Sequence, residues 1–431
     1  MNKTILTAFR SQLSIRAFSY KQVKRPDFSA KRKLTSPQES PEKDREKNHL
    51  NLTAQIRARI LAGGPITVAD YMKEVLTNPY AGYYMNRDVF GREGDFITSP
   101  EISQIFGELV AVWCLNEWRK VSAPSPFQVI ELGPGRGTLS VDLLKILTHF
   151  NLGGQFSLHL VEVSPHLSKM QASKLCFKHN QVDEGPCYWK GETLSGTKVY
   201  WYKRLEDVPR GFSIVVAHEF FDALPVHKLQ KEDGKWKEVL IDVDTTKDNS
   251  FRYVLSKNET PISKIFETTK DDNRECLEYS TETDTIIESL AERTKTDGGI
   301  SLIMDYGHFG EKTDTFRAFK KHQLHDPLIE PGTADLTADV DFKRIKYIAE
   351  KKGEAITIGP VEQGTFLKRM EGDTRLKHLL ENALPENKEN IKSGYDKLTD
   401  PNQMGSRFKF ISIFPSVLKE HLEKYPVSGF N

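Results

Sequence analysis

Residues 127–138 read FQVIELGPGRGT, and this stretch decides the fold. An apolar run ends at a carboxylate, Glu131, and three glycines follow at alternate positions, Gly133, Gly135 and Gly137. Glycine has no Cβ, so a ligand can approach the backbone closely, and the N–H groups that open the next helix attract a carboxylate or a phosphate. The pattern therefore predicts a strand, a ligand-binding turn and a helix, with a small anionic cofactor at the turn.

The spacing of the glycines distinguishes between two cofactors. Dinucleotide-binding loops have the pattern G-x-G-x-x-G, whereas here the third glycine comes one residue early and Thr138 stands in its place. Glu131 would repel a pyrophosphate but suits an ammonium group. The pattern E-x-G-x-G-x-G after a strand resembles motif I of the class I S-adenosylmethionine methyltransferases, and it disfavours a nicotinamide enzyme. The alternative is a glycine-rich turn without a ligand.

A second carboxylate supports a nucleotide site. After the glycines, leucines recur at helical spacing, and the apolar stretch Phe156–Val163 then predicts a strand that contains Glu162. Glu162 falls 25 residues after Gly137, near the interval at which a βαβ unit places an acid on a ribose. We therefore expect Glu162 to accept hydrogen bonds from ribose hydroxyls. The other interpretation is an exposed acid at the end of a strand.

The candidate acceptor site follows another predicted strand, Phe212–Ala217. It reads HEFFDALP, residues 218–225, and combines His218, Glu219 and Asp222 with two phenylalanines. Ligands of open α/β sheets bind at the carboxyl ends of the strands, where this segment falls. Carboxylates between aromatic rings suit a cationic or hydrogen-bonding methyl acceptor, so we assign Glu219 first and Asp222 second. Both acids could instead cap the turn that follows.

Five longer motifs carry a resemblance to a known family. They are GDFITSPEISQIFGE at 94–108, ELGPGRGTL at 131–139, HEFFDALPVHK at 218–228, MDYGHFG at 304–310 and GTADLTADVDF at 332–342. In this order they resemble the MidA-like methyltransferases, over most of the chain from about residue 51 to about residue 414. The resemblance implies the α/β fold of the class I S-adenosylmethionine methyltransferases, a Rossmann-like seven-stranded sheet. Ile356–Gly359 and Arg407–Phe414 would form its closing antiparallel hairpin.

The resemblance also implies a reaction. It is the symmetric dimethylation of an arginine on an iron-sulfur core subunit of respiratory complex I, in the mitochondrial matrix, as part of assembly of the complex. A guanidinium stays protonated at neutral pH, so carboxylates such as Glu219 and Asp222 must hold it bidentately. His218 and His227 are candidate proton acceptors, and Asp305 either supports the acceptor or ends a strand. An assembly chaperone that binds the cofactor without essential catalysis stays open.

The beginning of the chain has the composition of a targeting segment. Residues 1–33 hold nine basic residues and one acid, and apolar residues fall on one helical face. This predicts a mitochondrial transit peptide, with possible cleavage after Phe18. Residues 34–48 are rich in Ser, Pro, Glu and Lys, which predicts a disordered linker.

The remainder divides into two predicted parts. Residues 49–122 predict an N-terminal helical cap over the cofactor, including a helix at Glu101–Val121. Residues 123–425 are the predicted methyltransferase domain. Within it, residues 227–280 predict an inserted β-rich segment, which is a candidate platform for the protein substrate because insertions at this edge of a sheet usually serve binding.

Composition limits the remaining possibilities. The 431 residues are 38% hydrophobic, and no apolar run approaches the ~18 residues that cross a bilayer. The four cysteines contain no C-x-x-C pair, so we expect neither a metal site nor a disulfide framework. Residues 34–431 hold 52 basic and 59 acidic residues, a balance that argues against nucleic acid as a partner. The sequence leaves the oligomeric state open, with a homodimer as one option.

Overall fold

The structure, a computed structural model, describes residues 41–85, 97–247, 250–266 and 273–431. The predicted leader, its cleavage position and residues 34–40 lie outside these ranges. The described α-helices, in chain order, are α1 Pro41–Gly63, α2 Val68–Thr77, α3 Ser99–Ile102, α4 Gln104–Lys120, α5 Thr138–His149, α6 Pro165–Leu175, α7 Pro261–Ile265, α8 Thr281–Asp297, α9 Phe342–Glu350, α10 Gln363–Arg369, α11 Gly372–Asn382, α12 Pro385–Thr399 and α13 Lys419–Lys424. No helix in the described ranges has the length and apolar character to cross a membrane.

The strands of the described ranges form three sheets. In chain order they are β1 Ile66–Thr67, β2 Phe127–Leu132, β3 Phe156–Val161, β4 Lys178–Gln181, β5 Cys187–Glu192, β6 Lys198–Tyr202, β7 Ser213–His218, β8 His227–Glu232, β9 Lys235–Asp244, β10 Ser250–Leu255, β11 Cys276–Tyr279, β12 Gly299–His308, β13 Arg317–Lys320, β14 Gln323–His325, β15 Asp335–Thr337, β16 Val340–Asp341, β17 Ala355–Glu362 and β18 Phe408–Pro415.

The central sheet has the predicted methyltransferase topology. Its seven main strands lie in the spatial order β6, β3, β2, β7, β12, β18 and β17. The first five run parallel to one another, and β18 is antiparallel to both of its neighbours. Strands β2, β3 and β7 are buried along nearly their whole length, as expected for parallel strands that have helices on both faces of their sheet. The predicted seven-stranded sheet and its closing hairpin are confirmed.

Two more strands extend this sheet beyond β6. Strand β5 pairs antiparallel with β6, and β4 pairs with β5 at the edge. Strand β4 is exposed along its whole length, and β5 has one buried residue, Trp189. Neither segment has the apolar pattern from which a strand is predicted. For this reason neither strand was expected from the sequence.

Helices cover both faces of the central sheet. On one face α4 and α5 pack through Phe106, Trp113 and Leu143. On the other face α8 and α9 pack through Ile287 and Ile345. Both layers of helices lie against the faces, so the carboxyl ends of the parallel strands stay open for a site.

The insertion at 227–280 folds as a sheet of its own, β8 to β11, as its β-rich sequence predicted. Strand β1 joins this sheet from the N-terminal region, with Ile66 paired to Ile241 of β9. Tyr71 and Met72 of α2 share a buried core with Ile241. The predicted helical cap is therefore divided, because α1 and α2 pack on the insertion whereas α4 packs on the central sheet.

Two helix boundaries of the N-terminal region, the start of α1 and the extent of the helix predicted at Glu101–Val121, differ from the prediction. Helix α1 begins at Pro41, inside the predicted linker, because a Glu- and Lys-rich sequence favours helix and proline suits the first turn. The second helix starts after β1, with the Thr67 hydroxyl accepting a hydrogen bond of 2.9 Å from the Asp70 N–H. The helix predicted at Glu101–Val121 is broken at Ser103, whose backbone is extended and whose side chain caps α4.

Tyr71 tests the packing between α2 and the insertion. Its buried ring lies 6.0 Å from that of Phe251, and its hydroxyl donates to the Pro327 carbonyl over 2.8 Å. Tyr71→Ala should lower the free energy of unfolding by roughly 3–5 kcal/mol and Tyr71→Phe by about 1 kcal/mol, because the first opens a cavity and the second removes one hydrogen bond. Urea denaturation measures both. The control Tyr80→Ala, at a side chain 78% exposed, should change stability by less than about 0.5 kcal/mol. Equal losses for Tyr71→Ala and Tyr80→Ala would contradict this packing.

Candidate active site

A cavity of about 1440 Å³ opens at the carboxyl edge of the central strands. Segments that follow β2, β3, β7 and β12 all reach it, as expected for an open α/β sheet. The predicted residues that line it are Glu131, Gly133, Gly135, Glu162, His218, Glu219 and Asp222. Of the other predicted residues, Gly137 lies just behind the lining at the start of α5, and His227 lies in the insertion. The described residues contain no group of three or more His, Cys, Asp or Glu side chains that could hold a metal ion.

The glycine loop has a backbone that favours glycine. Gly133, Gly135 and Gly137 have φ values of 63°, 51° and 70°, in the left-handed region that a Cβ disfavours. A Cβ on Gly133 would lie 2.7 Å from the ring of Phe220, so the loop has little room beside the HEFFDALP segment. Gly137 is the N-cap of α5, and Thr138 at the start of that helix lines the cavity. The loop and the helix N-terminus therefore face the space where an anionic group was predicted.

Glu131 is the last residue but one of β2, and its side chain is buried. The hydroxyl of Ser140, in the first turn of α5, donates a hydrogen bond to its carboxylate. Burial raises the pKa of Glu131 to about 7, although this hydrogen bond offsets part of the effect. About half of the Glu131 carboxyl groups are therefore charged at neutral pH, and a ligand ammonium group beside them would favour the charged form.

Both carboxylate oxygens of Glu162 are held in place. Oε1 accepts a hydrogen bond from the Ser164 N–H over 2.8 Å, and Oε2 accepts one from the Gln171 side chain over 3.1 Å. Gln171 also donates to the Gly135 carbonyl over 2.7 Å and accepts from the Trp201 indole over 2.8 Å. Burial raises the pKa of Glu162 to about 7. Gln171 thus links the glycine loop to the predicted ribose acid, a role with no local signal in the sequence.

Parts of the N-terminal region lie over this end of the cavity. Glu101 forms an ion pair of 3.1 Å with Arg136 of the glycine loop. Its carboxylate also accepts the Thr98 N–H over 3.3 Å, in a capping box at the start of α3. The Ser164 hydroxyl donates to the Tyr84 carbonyl over 2.7 Å. These contacts join the region before α4 to the residues assigned to the cofactor.

Glu219 and Asp222 lie in the turn after β7. Burial, and then the charge of Asp222, raise the pKa of Glu219 well above 4.5, and burial also raises the pKa of Asp222. Among the described residues, neither Oε1 of Glu219 nor Oδ1 of Asp222 has a hydrogen-bond partner. Oε1 of Glu219 lies 3.3 Å from Nε2 of His218 but without the alignment of a hydrogen bond. Buried acceptors without donors are costly, so the two oxygens suit a cationic ligand that donates to both.

The carboxylate of Asp305 fixes the conformation of the turn that contains Glu219 and Asp222. It is fully buried, and its Oδ2 accepts the backbone N–H groups of Phe220, Phe221 and Asp222 at 3.2, 3.1 and 3.3 Å. Glu219 has φ of 48°, an unfavourable value for a residue with a Cβ. Strand β12 continues three residues beyond Asp305. Of the two roles considered for Asp305, the structure favours support of the acceptor residues over the ending of a strand.

Hydroxyl groups orient the Asp222 carboxylate. Tyr306 and Thr337 both donate to its Oδ2, the latter over 2.9 Å. A third carboxylate, Asp335, lines the same cavity and accepts a hydrogen bond of 2.6 Å from the Tyr84 hydroxyl. Tyr306, Thr337 and Asp335 belong to the MDYGHFG and GTADLTADVDF motifs, in which only Asp305 was considered as a site residue from the sequence. Their only signal in the sequence was the resemblance of those motifs.

The two candidate proton acceptors lie in different places. His218 lines the cavity between the rings of Phe106 and Phe408, whose centroids are 4.8 and 6.4 Å away. Burial lowers the pKa of His218 to about 3, so it is neutral at physiological pH. His227 lies in β8 with its Nδ1 2.6 Å from the Glu238 carboxylate. The insertion carries His227 away from the cavity, so its predicted role is wrong.

A solved structure shares this fold. A protein from Burkholderia thailandensis, crystallised with S-adenosyl-homocysteine, superposes with a TM-score of 0.69 at 21% sequence identity, covering 89% of this chain and 96% of that one. The strand order is the one predicted for a class I methyltransferase. The glycine loop lies before α5 and Glu162 follows β3, where the sequence predicted the cofactor residues. The fold and the site define a class I S-adenosylmethionine-dependent methyltransferase.

Residues 109–361 match a family described as "Putative S-adenosyl-L-methionine-dependent methyltransferase". The chain belongs to this family, the MidA-like methyltransferases, as its motifs predicted. The predicted cofactor, S-adenosylmethionine, is thereby confirmed.

Named relatives agree over nearly the whole chain. "Protein arginine methyltransferase NDUFAF7 homolog, mitochondrial" of Drosophila melanogaster is 62% identical over 426 residues, which cover 96% of this chain and 98% of the relative. "Protein arginine methyltransferase NDUFAF7, mitochondrial" of Xenopus laevis is 50% identical over 385 residues, 86% of this chain and 87% of the relative. Both relatives are mitochondrial by name, which confirms the predicted mitochondrial location.

The raised pKa of Glu131 predicts that cofactor binding depends on pH. Below pH 7 the buried carboxyl binds a proton that an ammonium ligand must displace, so affinity should rise as pH increases. Between pH 6.0 and 7.5 the Kd for S-adenosylmethionine should fall roughly five- to tenfold, as one group of pKa about 7 requires. Titration calorimetry at both pH values measures it. Glu131→Gln should bind more weakly and show a smaller pH dependence, because Glu162, whose pKa burial also raises to about 7, keeps the remainder. If the variant keeps the wild-type dependence, Glu162 and not Glu131 is responsible.

Proposed function

We propose that this chain is an S-adenosylmethionine-dependent protein arginine methyltransferase of the mitochondrial matrix. The observation that carries the proposal is the pair of buried oxygens on Glu219 and Asp222 without partners among the described residues. They line the same cavity as Glu131 and Glu162, the residues assigned to the cofactor. A guanidinium has a planar set of N–H donors that can satisfy two carboxylates at once. The names of both relatives, which call them protein arginine methyltransferases, support arginine as the acceptor.

The cofactor residues have separate tasks. When bound, S-adenosylmethionine supplies a methyl group that its sulfonium activates. Glu131 would hold the ammonium group, the N–H groups at the start of α5 its carboxylate, and Glu162 the ribose hydroxyls. Gln171 fixes the position of Glu162 relative to the glycine loop, because it donates hydrogen bonds to both Glu162 and Gly135. The protein's remaining contribution is to align the acceptor.

The acceptor residues bind the guanidinium and manage its proton. Tyr306 and Thr337 occupy Oδ2 of Asp222, whereas Oδ1 has no partner among the described residues and could accept from a guanidinium. Two carboxylates on one guanidinium bias its electron density toward a single nitrogen. Because the pKa of Glu219 is already raised by burial and by Asp222, its carboxylate is a better proton acceptor than neutral His218. Glu219 would therefore take the proton that the methylated nitrogen loses.

The substrate is proposed from the resemblance and the location. We propose symmetric dimethylation of an arginine on an iron-sulfur core subunit of complex I, required for assembly of that complex. The basic leader at residues 1–33 and the mitochondrial names of the relatives support a matrix location. The remaining alternative is a chaperone that binds the cofactor and holds the same subunit without catalysis.

Two substitutions separate catalysis from cofactor binding. Glu219→Gln keeps the size of the side chain but removes its charge, and it should lower the rate of methyl transfer by roughly a hundredfold or more while the affinity for S-adenosylmethionine is retained. Gly135→Val should abolish cofactor binding, because a β-branched residue is strained at φ of 51°. Transfer of tritiated methyl groups to a matrix extract from cells lacking the protein, together with calorimetry, measures both effects. Glu184→Gln, at an exposed position, is the matched control.

The same variants decide between enzyme and chaperone in cells. If Glu219→Gln restores complex I assembly in cells that lack the protein, catalysis is not required and the chaperone is the correct function. If it fails while Glu184→Gln succeeds, the enzymatic proposal holds. Mass spectrometry of complex I subunits with and without the protein identifies the modified arginine, and acid hydrolysis shows whether the product is symmetric dimethylarginine. Label on no arginine would overturn the proposal.

A further inference from the structure

The cavity wall around the acceptor carboxylates comes from residues 312–339. This segment contributes Lys312, Arg317, Phe319, Leu324 and Asp335 to the lining, whereas no described residue from 227 to 280 lines the cavity. Strands β13, β14 and β15 lie within it and form a three-stranded sheet. The described part of the inserted β-rich segment, which was expected to be the substrate platform, does not line the cavity, whereas this small sheet does.

One face of the small sheet forms a row of side chains toward the site. Leu324 of β14 pairs with Phe319 of β13, and Phe319 pairs with Asp335 of β15. Paired residues on adjacent strands have their side chains on the same face, and all three line the cavity. The row passes from Leu324, which is 73% exposed, through half-buried Phe319 to Asp335, which is 7% exposed. It therefore leads from solvent to the buried carboxylates.

Side chains on both faces hold the small sheet in place. On the opposite face, Ala318 and Leu336 are buried in the core that contains Tyr71 of α2. On the cavity face, Arg317 forms an ion pair of 2.7 Å with Asp339, and its guanidinium lies 5.4 Å from the centre of the Tyr306 ring. The sheet can act as a rigid surface because its back is packed and its front is tied to the acceptor residues.

The last strand of the sheet connects directly to the acceptor pair. Thr337 of β15 donates to the Asp222 carboxylate over 2.9 Å and pairs with Arg317 across the strands. Along this face the chemistry changes from apolar at Leu324 and Phe319 to anionic at Asp335 and Asp222. A ligand that matches it needs a cationic group at one end and an apolar group beside it.

We propose that Leu324 and Phe319 dock an apolar side chain of the protein substrate next to its acceptor arginine. The inference rests on the function proposed above and adds a sequence preference to it. The occupant is an extended segment of a partner protein, because its arginine complements the carboxylates and its apolar neighbour covers the exposed Leu324. The small sheet, and not the insertion, then determines which arginine is chosen.

Leu324→Glu tests the inference with little risk to folding, because the side chain is 73% exposed. Initial rates of methyl transfer are measured against dilutions of a matrix extract from cells that lack the protein. The half-saturating extract concentration should rise roughly tenfold or more, the effect of losing one apolar contact and adding a charge, while the rate at saturation is retained. Leu324→Met should restore nearly wild-type saturation, since it keeps an apolar side chain of similar size.

Leu194→Glu is the matched control, since Leu194 is 89% exposed and does not line the cavity. If Leu324→Glu saturates at the same extract concentration as Leu194→Glu, the docking surface is overturned while the methyltransferase function stands. If Leu324→Glu weakens the binding of S-adenosylmethionine instead, the row belongs to the cofactor and the inference is also overturned. If the wild-type protein labels no arginine in the extract, both proposals fail.

Discussion

The acceptor side of the site depends on one buried carboxylate, that of Asp305. Its Oδ2 gathers three consecutive backbone N–H groups, those of residues 220, 221 and 222. Without an acceptor these groups would be unsatisfied inside the protein, at a cost of about 1–3 kcal/mol each. The same contacts hold Glu219 at its left-handed φ and place Asp222 beside Tyr306. Asp305 itself does not line the cavity, so its contribution is to the shape of the turn.

Asp305, Asp222 and Glu219 concentrate like charges in a buried space. Burial and mutual repulsion raise the pKa of Asp305 and of Glu219, so the charged forms of these carboxylates favour a cation beside them. Such a cluster is tolerated when the surrounding structure fixes its side chains in place. Here β7, β12 and the small sheet do so. Binding of a cation relieves the repulsion, so part of the selectivity for a positively charged acceptor is present before the acceptor arrives.

The sequence predicts those features that depend on residues close together in the chain. Strands β2, β3 and β7 were predictable because burial makes most of their residues apolar, and the glycine loop because its backbone requires glycine. Strands β4 and β5 were not, since an exposed edge strand needs no apolar pattern. Gln171, Tyr306 and Thr337 act through partners that are 36, 84 and 115 residues away in the chain. Such contacts are set by the topology of the sheet, so only the assembled fold could reveal them.

The two-residue strand β1 has a consequence for how the chain becomes folded. Ribosomal synthesis delivers the N-terminus first, and transport through a membrane pore in extended form would do the same for a leader-bearing protein. Helices α1 and α2 find their partners only when β9 and β10, up to Leu255, have followed. Until then Tyr71 and Met72 have no core to enter, although both are fully buried at the end. The apolar faces of α1 and α2 therefore stay without their packing partners until the insertion has been made, long before the last strands of the central sheet.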